Sequence, residues 1–227
     1  MVAAYGGGHH STRHQYILMS DCIKSSSSFF DIPEGNSMNF KKQWEDFLTP
    51  EITQERLITA SLYITAFEML KESIIGRIRD FYCIGFSPNE LEYSSKYKDE
   101  VLSLNTSPLY ASLKWLIGSE AIHEEDLSTF EKLKNLRNTL AHELPEVVFT
   151  GKNLSVTEHM KILMDLLRKI EVWWVLNVEI PTNPDFDGSE VDPELISPGP
   201  ILMMHMMFEV IAGKSELLEV YRNAGKK

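Results

Sequence analysis

EEDLSTFEKLKNLRNTLAHEL, residues Glu124 to Leu144, carries Leu127, Phe130, Leu133, Leu136, Leu140 and Leu144 at steps of three and four. That spacing gathers apolar side chains along one side of an α-helix. Glu124, Glu125 and Asp126 open the stretch, where the positive end of a helix dipole favours carboxylates. Pro145 closes it, since the residue before a proline is driven out of the helical region.

The same periodicity continues to either side. Ala60, Tyr63, Phe67, Leu70, Ile74, Ile78 and Phe81 mark a long helix that Gly85 and Pro88 are expected to stop. A shorter apolar segment, Trp44 to Leu48, precedes it and ends at Thr49-Pro50, a helix-start signal. Ser107-Pro108 begins another helix that runs through Trp115 to Gly118. Val156, Met160, Leu163, Leu167, Ile170 and Trp174 define one more, after a turn at Thr150-Gly151. Residues 89–105 are polar and read as loop with a short helix. No pair of strands with hairpin chemistry, no internal repeat and no glycine-rich phosphate loop is evident. The expected fold is all-α, a helical bundle with a C-terminal helical extension.

Residues 1–37 differ from the rest. They are rich in Gly, His and Ser, lack apolar periodicity, and read as a flexible N-terminal tail. The bundle is expected over 38–177, with Met38 an alternative start. An acidic linker, 178–199, follows. A C-terminal extension, 200–227, is expected to pack on the bundle through a Met-rich helix from Pro200 to Ala212 and a short closing one.

Composition narrows the function classes. The chain has 227 residues, 43% hydrophobic and 24% charged, enough to bury a core of ordinary size. Its formal net charge of −11 excludes a protein that coats nucleic acid by bulk electrostatics. The charge is uneven, however. Glu179, Asp185, Asp187, Glu190, Asp192 and Glu194 crowd the linker without a Lys or Arg. Lys132, Lys134 and Arg137 outnumber Glu131 between Glu131 and His142. Two cysteines, Cys22 and Cys83, make no disulfide framework, and no signal-peptide pattern or membrane-length apolar run is present. These features point to the cytoplasm and to no membrane partner.

Three groups invite a metal reading. His9, His10 and His14 fall in the tail, His123 stands at a helix start, and Met203 to Met207 (MMHMM) point around a helix rather than to one point. Tail, solvated helix end and core packing are the readings taken, so no metal and no cofactor is expected.

The polar residues of the opening stretch demand more. At about 100° per residue, Glu131, Asn135, Asn138 and His142 share a stripe opposite Leu133 and Leu140. Arg137 lies about 140° from His142, on the edge of the apolar side. Arginine is rarely buried without a partner. Either it meets a carboxylate, with Glu68 on the long helix as the candidate, or it borders a cleft that receives an anion.

RNTLAH, Arg137 to His142, resembles the R-x4-H signature of the HEPN superfamily, including a polar residue directly after the arginine. Arg137, Asn138 and His142 match position for position, and the likeness spans about Phe40 to Trp174. The resemblance implies a helical bundle and, in many members, a metal-independent endoribonuclease of toxin–antitoxin or antiviral systems. It implies His142 in proton transfer and Arg137 on the scissile phosphate, with Asn138 orienting either, and Glu68 and Lys134 as supporting candidates. HEPN ribonucleases pair two motifs, and one R-x4-H is present here. A homodimer with a composite site is therefore expected, with RNA as substrate and an antitoxin or regulatory protein as partner. The alternatives are a non-catalytic module that binds RNA, a nucleotide or a protein, and a helical interaction protein whose Arg137 is structural.

Overall fold

A computed structural model describes residues 37–87, 91–186 and 191–224. The expected flexible tail, with His9, His10 and His14, lies outside the described residues. The all-α expectation is met: helices account for nearly all the regular structure.

α1 (Ser37–Leu48) and α2 (Pro50–Phe81) meet at Thr49, whose extended backbone breaks the helix before Pro50 begins the next. α2 is the central element. It packs against α3 (Pro108–Gly118), α4 (Glu124–His142), α5 (Leu144–Thr150) and α6 (Val156–Trp174). Of the residues that the periodicity selects, Ala60, Tyr63, Phe67, Leu70, Ile74 and Ile78 are buried, while Phe81 at the helix end is 51% exposed. Tyr63 is fully enclosed and donates its hydroxyl to the Leu133 carbonyl at 3.1 Å, fixing α2 on α4. Burial pushes its phenol well above the ordinary range, so it stays a donor. Phe67 meets Phe130 at 5.6 Å, and Trp115 stacks on Trp174 at 5.8 Å, joining α3 to α6.

Two expectations are corrected. α2 stops at Phe81, and Cys83–Phe86 (β1) pairs antiparallel with Leu91–Tyr93 (β2). Gly85 is therefore part of a strand rather than a helix stop. Strands of four and three residues are too short to display a period of two, which is why the sequence did not announce them. Pro145, expected only as a terminator, also starts α5. Glu143 separates the two helices, and a proline in the first helical turn has no amide to leave unpaired.

Beyond Trp174 the helical backbone continues as a π-helical turn, Val175–Glu179, and a last turn to Thr182. The described acidic stretch is held by Arg168, whose Nη2 donates to the Pro193 and Glu194 carbonyls at 3.0 and 3.3 Å. α7 (Gly199–Ile211) follows and buries Ile201 and Met204 against the bundle. Met203 is half exposed, so core packing holds for only part of the MMHMM run. α8 (Glu216–Ala224) has no buried residue. No helix among the described residues is long and apolar enough to cross a membrane.

Candidate functional site

Arg137, Asn138 and His142 occupy the last two turns of α4. Arg137 leaves the helix toward α2, where its Nε and Nη2 donate to Glu68 Oε1 at 3.1 and 2.5 Å. Of the two partners open to it from sequence, the carboxylate is the one it meets. Nη1 donates to Asn138 Oδ1 at a long 3.4 Å. Glu68 Oε2 takes a bond from Lys71 at 3.3 Å, so one carboxylate serves two cations. Burial pushes the Glu68 carboxyl up, but hydrogen bonds from Arg137 and Lys71 outweigh it and hold the group below its ordinary 4.5.

This is not a sealed pair. The Arg137 side chain is 29% exposed and that of Glu68 41%. A guanidinium carries five N–H groups, and three are used here, so two remain for an added acceptor.

His142 is the last residue of α4, exposed at the negative end of the helix dipole. Among the described residues its side chain has no hydrogen bond or ion pair. The side chains of Glu68, Arg137 and Asn138 form one connected group, and no side-chain hydrogen bond joins His142 to it.

Lys134 belongs to a neighbouring cluster. Its ammonium sits 3.0 Å from Glu131 and 4.8 Å from the centre of the Tyr110 ring, and it donates to the Tyr110 hydroxyl. That hydroxyl donates in turn to Glu131. The Tyr110 hydrogen bond, helped by Lys134 and opposed by burial, lowers the Glu131 carboxyl. The same phenol, opposed by burial and aided by Glu131, raises Lys134, so both charges are retained at neutral pH. Tyr110 and Lys71 are the members that sequence reasoning missed. Nothing local in the sequence links Tyr110 to a lysine 24 positions on. Lys71, three residues after Glu68, could have been found from helical spacing.

His123 is an exposed helix start whose backbone amide donates to Asp126 Oδ2 at 2.8 Å. Among the described residues no three His, Cys, Asp or Glu side chains come together as metal ligands would.

The arrangement offers an anion-binding fork with donors to spare, an amide that steadies it, and an open imidazole one turn beyond. Compared with family models, curated proteins and solved structures, the chain finds no match. The likeness to HEPN proteins therefore stands on Arg137, Asn138 and His142 and on the helical surroundings.

Proposed function

We propose that the protein is a metal-independent endoribonuclease of HEPN type, a toxin or antiviral effector, acting as a homodimer with a composite site. The observation that carries this reading is the exposed, unpartnered His142 one turn beyond an Arg137–Asn138 pair with two guanidinium N–H groups free. Arg137 takes the scissile phosphate and stabilises the charge that gathers on its oxygens in the transition state. Imidazole suits both proton transfers because histidine ordinarily titrates near neutrality. One histidine removes the 2′-hydroxyl proton as the 2′-oxygen attacks phosphorus. A protonated one, supplied by the second copy, gives its proton to the departing 5′-oxygen. The products are a 2′,3′-cyclic phosphate and a 5′-hydroxyl.

RNA incubated with the protein in excess EDTA tests this. Cleavage with cyclic-phosphate ends, and intact DNA alongside, are the expected results. His142→Ala should lower the rate by roughly 10²- to 10⁴-fold while leaving the fold intact. Intact RNA throughout pH 6 to 8, from a folded wild type, would remove intrinsic catalysis.

One observation favours a second reading. Glu68 already occupies one edge of Arg137, and the net charge is −11. A non-catalytic module that binds RNA, a nucleotide or a protein partner would need only the free donors. It would retain RNA without cutting it, in wild type and His142→Ala alike. An antitoxin or regulatory protein that covers the α4 stripe fits either reading.

A further inference from the structure

Two adjoining cavities run along the seam between α2 and α6. They share Thr59, Val156 and Thr157, so they form one trough. The first, about 350 Å³, lies against α5 and the turn after it, with Arg56, Lys152 and Glu55 over Ala60, Leu140 and Val147. The second, about 420 Å³, is walled by Leu62, Met160, Met164 and Phe208 of α7. Each falls within the roughly 300–1,000 Å³ of small-molecule sites. From Val156 to Met164, at the helical rise per residue, the trough runs roughly 12 Å.

Its two ends differ in chemistry. Arg56 commits three of its five N–H groups, to the Val148 and Phe149 carbonyls and to Asp46, which leaves two. Lys152 stands a long 4.0 Å from Glu143, and its side chain is 51% exposed. Beside them α6 begins without a side-chain cap. Ser155 has left-handed backbone, φ +47°, rather than the extended conformation from which a serine caps. The positive end of a 19-residue helix is thus left uncompensated where Val156 and Thr157 line the cavity. The hydroxyls of Thr59 and Thr157 have no hydrogen-bond partner among the described residues. The far end is apolar, and Lys161 is the one charged residue in its lining. Methionine side chains such as Met160 and Met164 adapt to a flexible occupant.

We propose that the α2–α6 trough binds a single-chain amphiphile with an anionic head and an acyl tail. Arg56 and Lys152 receive the head, with the start of α6 adding to the attraction. The tail lies past Thr59 along Leu62 and Met160 to Met164 and Phe208. Charge selects this occupant: cationic groups gather at one end, and the other buries apolar surface. A nucleotide fits less well, since no aromatic side chain lines the first cavity to stack on a base. Arg137, Asn138 and His142 line neither cavity, so the proposal does not rest on the RNA-cleaving reading.

Calorimetric titration of the full chain with dodecanoate, dodecyl phosphate and dodecyltrimethylammonium, each below its micelle concentration, reads the outcome. At least one of the two anions should bind saturably, one per chain, by about 100 µM. Tighter binding of dodecanoate marks a free fatty acid as the source of the head, and tighter binding of dodecyl phosphate a lysolipid. The ammonium analogue, with the same tail, should bind at least tenfold more weakly. Hexanoate should bind at least tenfold more weakly than dodecanoate, because it buries less apolar surface. Lys152→Glu reverses one charge at the head, and Thr157→Trp plugs the junction of the two cavities. Both change exposed side chains, so the fold should persist, checked by circular dichroism. Each should weaken binding of the anion at least tenfold, and Ile84→Lys, on the distant hairpin, should not. No saturable binding of either anion overturns the proposal. So does equal binding of the ammonium analogue, which would make the trough a general apolar groove, or binding indifferent to both Lys152→Glu and Thr157→Trp.

Discussion

Arg77 and Arg137 each reach a glutamate on another helix, and both pairs tie α2 to a neighbour. Arg77 holds Glu171 of α6 with two donors, at 3.4 and 2.5 Å, while Ser73 donates to the same carboxylate at 2.5 Å. The Glu171 side chain is 1% exposed and that of Glu68 41%. Glu171 therefore depends on its partners for the hydration it has lost, whereas Glu68 keeps water and a second cation, Lys71, within reach. The arginines themselves are alike, each using three of five N–H groups with side chains 35% and 29% exposed, so the difference lies in the carboxylate each serves. One pair belongs to the architecture. The proposed function requires the other to exchange its carboxylate for a phosphate, and the partial exposure of both members is what favours that reading.

The sharpest way to break this comparison is to remove Arg77. Arg77→Ala strands a buried carboxylate and should cost about 3–5 kcal/mol, read by urea unfolding. A loss below about 1 kcal/mol would show that Glu171 is not the dependent partner. Arg137→Ala should cost about 1 kcal/mol or less, since both members are partly solvated and Lys71 remains with Glu68. A loss as large as that of Arg77→Ala would make Arg137 structural and undercut its proposed role on phosphate.

The smallest effect concerns Glu68 and pH. Its folded carboxyl lies below 4.5, so the stability it lends is complete above the ordinary carboxylate range and fades as pH falls through the lowered value. The thermal midpoints of wild type and Glu68→Gln should differ slightly at pH 7 and converge toward pH 3. In the same variant Arg137 is released, and a labelled single-stranded RNA should bind more tightly. Unchanged or weaker binding would separate the pair from any anion site.

Much of this was legible before any coordinates. The steps of three and four through Ala60–Ile78 and Leu127–Leu140 name the buried faces of α2 and α4. The angular position of Arg137 left either a carboxylate, with Glu68 as candidate, or an anion-receiving cleft, and Glu68 is what it meets. What was hidden depends on distant or brief signals. Glu171 sits on α6 with an apolar run after it, and its partners Ser73 and Arg77 are 98 and 94 residues away. The β1–β2 hairpin is too short for alternation to emerge. Tyr110, which bridges Lys134 and Glu131, has no local mark of its task.

Arg56 has a consequence for the order in which the molecule opens. Its guanidinium donates to the Val148 carbonyl at 2.7 Å and to Asp46 at 3.1 Å, while Phe40, Trp44 and Phe47 crowd around Phe149. Gly151, at φ +64°, leaves room for it, since a Cβ there would stand 2.5 Å from Nη2. α1 and α5, a hundred residues apart in the chain, are thus latched by one side chain. Neither is long enough to persist alone. Their amides should exchange with solvent deuterium at a common rate, as one cooperative unit that detaches before α2, α4 and α6 do.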